Sequence, residues 1–389
     1  MQTLTSSDKT LQDKTASPRF LSLDVFRGLT VAGMILVNNP GSWEHVYAPL
    51  RHAPWNGCTP TDLVFPFFLF AVGNALSFSI GKYAAAGTST VLRKILTRTV
   101  LIFGIGLLLN WFPFFRLQEG EWVFKTFDKL RIFGVLQRIA LAYMGAALIV
   151  SFTKPRQAFW IAGGLLLAYW GILLGFGDLT LEGNAVRKLD LWLLDESHLY
   201  HGYFSEILNQ NIAFDPEGLL SFVPAVSSVI FGFLVGKFIR DKGNTFEMLT
   251  TLFVLGSLSL FVGLCWHMVF PINKPIWSSS YVLHTTGLAM TLLAVIIYLV
   301  DTKGYKGWTS FFVIFGKNPL FIFVLAGVVA KLLPLIPVGD TNFYGWLYRD
   351  VLQPLAGDYL GSLVFALLHV LFFWFISLIL DRKKIYIRV

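Results

Sequence analysis

His52, the turn Pro54-Trp55-Asn56-Gly57 and Asp62 stand close together at the mouth of an apolar run that begins at Leu63. An imidazole titrates near neutrality and suits general-base work. A carboxylate beside it fixes the tautomer and raises its basicity. Asp62 reads equally well as the N-cap of the helix that follows, since Thr-Pro-Thr precedes it. Spacing alone leaves open whether the two side chains touch.

Other polar groups interrupt apolar segments, where desolvation makes them functional suspects. Asp24 and Arg27 sit one helical turn apart, as a mutually neutralised anchor or as a site whose Arg faces phosphate. Asn38 and Asn39 precede Pro40-Gly41 and can cap a helix end or donate to an oxyanion. Arg131 and Arg138 are expected on one face of a helix, with Arg138 two turns in and facing a cavity or an acid. Asp215 and Glu217 introduce another apolar run. Trp277, Tyr281 and His284 follow helical spacing as a polar-aromatic stripe, and Lys317, Asn318 and Pro319 break a further run. Broken helices are tolerated where they line cavities. Together these residues suggest a wet cavity whose aromatic faces and carboxylates suit a pyranose or an ammonium. No metal-ligand spacing is present.

The elements that must position these groups are membrane spans. Of 389 residues, 55% are apolar and 14% charged, and mean hydropathy is +0.64. Globular soluble chains carry about a quarter charged residues. Ten spans of about 20 residues are expected at 21–40, 61–81, 95–115, 131–152, 157–176, 218–238, 247–270, 278–300, 309–330 and 358–380. The fold class is thus all-α, a polytopic helix bundle. It divides into a cytosolic tail 1–20, one transmembrane domain 21–380 and a basic tail 381–389. The tail 1–20 has no apolar core, so the first span is expected to act as a retained insertion signal.

Connectors alternate. One set is basic: Lys9, Lys14 and Arg19; Lys82, Arg93, Lys94 and Arg98; Lys154 and Arg156; Lys237, Arg240 and Lys242; Lys303 and Lys306; Arg382, Lys383, Lys384 and Arg388. The other set (41–60, 116–130, 177–217, 271–277 and 331–357) is longer and more aromatic. The positive-inside rule puts the basic set and both termini in the cytosol and His52 outside. The net charge of +8 is read as this orientation signal, not as a nucleic-acid surface. Cys58 and Cys265 fall toward the outer side, and two buried free thiols are expected rather than a disulfide. The 177–217 connector is expected to be structured and functional.

SLDVFRG (22–28), Val37-Asn38, HAPWNGCTPTDLVFPFFLF (52–70), RIFGVLQRIALAY (131–143), DPEGLL (215–220), PINKPIWSSSYV (271–282) and GKNPL (316–320) resemble the heparan-α-glucosaminide N-acetyltransferase family. The resemblance runs along nearly the whole chain. It implies acetyl transfer across the membrane from cytosolic acetyl-CoA to an amino sugar, with His52 catalytic and Asn38 in support. Asp62 is expected to orient the imidazole. Asn39, Trp55, Arg138, Asp215, Glu217, Trp277, Tyr281 and His284 are expected to bind the acceptor. Asp24, Arg27, Arg93, Arg98, Lys317 and Asn318 are expected toward acetyl-CoA. The expected setting is a bacterial inner membrane, with a periplasmic glucosamine-type acceptor, the bilayer as partner and a homodimer left open. An N-acetylglucosamine transporter and an envelope-polysaccharide O-acetyltransferase remain alternatives.

Overall fold

The structure is a computed structural model that describes residues 20–84, 87–118 and 120–387, and for 82–84, 117 and 118 the backbone alone. The expected 1–20 tail apart from Phe20, the Lys82 side chain and Arg388 lie outside the described residues.

Twelve helices carry the fold: α1 (Leu21–Asn38), α2 (Pro60–Ala84), α3 (Thr88–Trp111), α4 (Val135–Phe152), α5 (Pro155–Phe176), α6 (Ala185–Leu194), α7 (Phe222–Lys242), α8 (Phe246–His267), α9 (Ser279–Ile297), α10 (Thr309–Lys317), α11 (Pro319–Leu332) and α12 (Asp358–Arg382). Among the described residues, α1, α2, α4, α5, α7, α8, α9 and α12 are long and apolar enough to cross a membrane. The segments Thr309–Lys317 and Pro319–Leu335 form a ninth candidate, bent by 85° at Asn318. The remaining expected span is α3. Its 24 residues reach about 36 Å, but Arg93, Lys94 and Arg98 occupy its first half, and it falls outside the apolar set. The all-α bundle is as expected. Two helix starts are corrected: α4 begins at Val135 rather than 131, and α7 at Phe222 rather than 218.

Lipid offers no hydrophobic drive for helix association, so spans pair through small residues and close backbones. At the α2–α7 crossing a Cβ on Gly73 would meet the Val229 carbonyl oxygen at 2.0 Å, and one on Gly232 would meet that of Phe70 at 2.2 Å. This contact fixes α2, whose first turn carries Asp62. Helix ends are closed by distant groups as well as local ones. The Asp301 carboxylate accepts from the Leu21 and Ser22 amides at 3.1 and 3.2 Å, and Lys331 Nζ donates to the Leu109 carbonyl at the end of α3 at 2.5 Å.

The two connector sets gather at opposite ends. At one end Gly57 N donates to Ile272 O (2.7 Å), Trp55 Nε1 to Leu179 O (2.9 Å), and His198 Nδ1 to Leu130 O (2.7 Å). At the other, Asn244 Nδ2 donates to Asp301 O (3.0 Å) and Lys317 Nζ to Asp381 Oδ1 (2.5 Å). The 177–217 connector is ordered into α6 and a hairpin, β1 (Tyr203–Ser205) with β2 (Gln210–Ile212). Cys58 and Cys265 are unbonded, and Cys265 is exposed on α8 rather than buried.

Candidate active site

The His52–Trp55 turn, the 177–217 connector, the segment before α4, the loop before α7 and the 271–278 turn enclose a cavity of about 930 Å³. His52 lines it with its side chain 43% exposed, whereas Asp62 beneath is 1% exposed. His52 Nδ1 lies 2.6 Å from Asp62 Oδ1. Asp62 Oδ2 accepts from Ala53 N, Thr59 N and Thr59 Oγ1, each at 3.0 Å. Asp62 therefore both ties down the turn and orients the ring. At 2.6 Å from a carboxylate, Nδ1 must carry the proton, which leaves the Nε2 lone pair available.

Lys274 completes the group. Its Nζ lies 3.0 Å from His52 Nδ1 and 3.3 Å from Asp62 Oδ1. Burial lowers its pKa, against the pull of Asp62 and Glu217. Burial and the Asp62 charge push the nearby Cys58 thiol up to about 12, so it is no thiolate nucleophile. Lys274 is absent from the site residues expected from the sequence. The signal was there, in the PINKPIW segment, but nothing in it tells which side chain crosses to position 52.

The cavity lining carries a second ionic cluster. Arg131 grips Asp215 in bidentate fashion (Nε to Oδ2 2.8 Å, Nη2 to Oδ1 2.7 Å) and reaches Glu217 Oε2 at 2.6 Å. Burial alone would lower the Arg131 pKa, and the two acids hold it above the ordinary value. Arg131 precedes α4, so it shares no helix face with Arg138, yet both line the cavity. Arg138 Nη2 donates to Pro216 O and Ser221 Oγ, and its guanidinium lies 4.6 Å over the Trp277 ring. Behind this loop is Asp190 on α6. Its Oδ1 accepts from Leu219 N at 2.9 Å, its Oδ2 is buried without a partner, and burial pushes its pKa up to about 7.

Of the expected acceptor residues, Trp55, Arg138 and Glu217 line the cavity. Asp215 is buried behind Arg131. Trp277 and Tyr281 are fully buried and form the floor's support, a correction to the lining stripe. The spacing misled because α9 starts at Ser279, and Trp277 sits before it with a left-handed φ of 51°. Tyr281 donates its hydroxyl to the Asp62 carbonyl at 2.5 Å. His284 packs against α8 at Gly263, outside the cavity lining. Asn39 is buried and spends its amide on Ile35 O at 2.7 Å, a helix-end role. Asn38 ends α1 as an exposed side chain and is absent from the cavity lining.

At the basic end, Arg27 pairs with Asp24 at 2.7 Å and donates to Gly316 O at 2.7 Å. Lys317 is held by Asp381, and Asn318 binds the 385–387 backbone through Ile385 O and Ile387 N. These groups close α1, α10 and the C-terminal segment together. Arg93 is exposed. Arg98 stacks 4.7 Å from the Tyr143 ring and keeps a buried Nε with no hydrogen-bond partner.

Residues 19–269 match the family profile described as heparan-alpha-glucosaminide N-acetyltransferase, catalytic. The human heparan-alpha-glucosaminide N-acetyltransferase is 29% identical over 422 aligned positions, covering 96% of this chain and 60% of that protein. The mouse enzyme of the same name is 28% identical, covering 97% and 61%. The chain thus spans about 60% of the length of these curated relatives. With the profile covering well over half of its residues, the chain belongs to the heparan-alpha-glucosaminide N-acetyltransferase catalytic family.

Proposed function

We propose that the chain transfers an acetyl group from acetyl-CoA, supplied from the basic-connector side, to the amine of a glucosamine-type sugar in the cavity. The observation that carries this reading is the 2.6 Å His52–Asp62 contact at the wall of a cavity built from aromatic and carboxylate side chains. Trp55 and Tyr203 offer ring faces for a pyranose, and Glu217 offers charge to the amino group. In this reading His52 Nε2 takes a proton from the amine as its nitrogen attacks the thioester carbonyl. The C–S bond then breaks, and the CoA thiolate recovers the proton. Asn38 is kept as the oxyanion donor on the family resemblance alone, since its side chain stands at the end of α1, outside the cavity lining.

The donor must be met part-way, because a hydrocarbon core is about 30 Å thick. Arg138 lies at the cavity floor. Tyr143, five residues and about 7.5 Å further along α4, stacks on Arg98 of α3. Arg98 and the exposed Arg93 suit the CoA phosphates. The gathering of basic connectors at that end supports a cytosolic assignment, with the cavity on the periplasmic face of a bacterial inner membrane.

Purified protein with acetyl-labelled acetyl-CoA and glucosamine should yield N-acetylglucosamine. Label on a hydroxyl would indicate an O-acetyltransferase. Uptake of preformed N-acetylglucosamine without any acetyl transfer would replace the reading with a transporter.

A further inference from the structure

Lys274 lies beyond the segment matched to the family profile, yet it occupies the same carboxylate as the candidate base. Asp62 Oδ1 faces both His52 Nδ1 at 2.6 Å and Lys274 Nζ at 3.3 Å. Nδ1 cannot donate to Oδ1 and accept from Nζ at once. With the proton on Nδ1, the 3.0 Å approach of Nζ puts a cation beside an N–H that carries no spare lone pair. A second positive charge on the ring would then face the ammonium directly. Asp62 cannot turn to relieve this, since Oδ2 is committed to Ala53 and Thr59.

The lysine is delivered with care. Asn273 Nδ2 donates to Asn56 Oδ1 at 3.1 Å, and Asn273 Oδ1 accepts from Ile276 N at 2.9 Å. Gly57 N donates to Ile272 O at 2.7 Å. These bonds lock the 271–278 turn onto the 52–59 turn. The other charged or titratable groups facing the cluster are Glu217 before α7 (held by Arg131), Arg138 on α4, Cys58 on the turn, Tyr203 on β1 and Tyr281 on α9.

We propose that Lys274 is a positioning residue for His52: by sharing the Asp62 carboxylate it keeps the imidazole neutral at rest, with Nε2 free to take the acceptor's proton. The proposal rests on the reading of His52 as the acetyl-transfer base. Its test does not need turnover. Diethyl pyrocarbonate acylates neutral imidazole, and mass spectrometry of the His52 peptide from full-length protein in nanodiscs gives the rate at that position. At pH 6 Lys274→Met should slow His52 modification roughly fivefold relative to wild type. At pH 8 the two rates should converge, and Lys274→Arg should restore the wild-type rate at pH 6. Should Lys274→Met aggregate, Lys274→Gln keeps a donor toward Asp62 without the charge and is read the same way. Equal rates for the neutral variant and wild type at pH 6 would overturn the proposal. A moved labelling rate without acetyl transfer would instead remove the assigned activity and leave the Lys274 effect standing.

Discussion

On one wall of the cavity a single carboxylate, Asp62, faces two basic groups, His52 and Lys274; on the other a single guanidinium, Arg131, faces two carboxylates, Asp215 and Glu217. The geometries differ as the charges do. Asp215 is fully buried and gripped in bidentate fashion, a closed arrangement with little left to exchange. His52 is partly exposed and lines the cavity. In the proposed reading the first wall moves a proton, and the second holds a shape and presents Glu217.

Substitutions can separate the two walls. The largest effect on turnover is expected from His52→Ala, a fall of about 10²–10⁴-fold in kcat/KM with an unchanged melting temperature. A variant retaining more than a tenth of wild-type turnover would remove His52 from the chemistry. Arg131→Met should act the other way. It leaves a buried carboxylate unpaired and should cost about 3 kcal/mol or more of stability. Chemical denaturation in detergent would read this, and a loss of rate with full stability would make the walls alike.

Asp190 supplies a pH test of the second wall. Its pKa rises from 3.8 to about 7 in the folded state, so between these values the folded chain holds a proton that the unfolded chain releases. Stability should therefore fall as pH rises from about 4 to 7 and level off above. Asp190→Asn should flatten this slope, removing about 2 kcal/mol of the change between pH 5 and 7. Thermal melts across that range would show it, and an identical slope in both proteins would contradict the assignment. The smallest effect is expected from Glu217→Gln, which keeps a hydrogen-bonding partner for Arg131. The acceptor's KM should rise a few-fold, under about 1 kcal/mol, with kcat nearly constant. A fall in kcat alone would place Glu217 in the chemistry.

Much of the scaffold was legible from hydropathy, because lipid requires long apolar runs wherever backbone crosses it. The alternation of connectors also carried through to two spatial clusters. His52 and Asp62 could be named because they are close in sequence and flank a rigid turn. Lys274 could not, since it reaches His52 across 222 positions. The Arg131–Asp215–Glu217 cluster was hidden for the same reason, and because Arg131 was assumed to be helical. Helical spacing does not apply to Trp277, because the helix begins only at Ser279. The partners of Lys317 and Asn318 were hidden because the C-terminal segment that they bind is distant in the chain.

In the proposed function an imidazole at one end of the bundle acts on a thioester supplied from the other. Proteoliposomes of one orientation, with acetyl-labelled acetyl-CoA on the basic-connector side and glucosamine only on the cavity side, test it directly. Labelled N-acetylglucosamine is expected in the cavity-side compartment, abolished by His52→Ala. Product formed only when donor and acceptor share one compartment would contradict it.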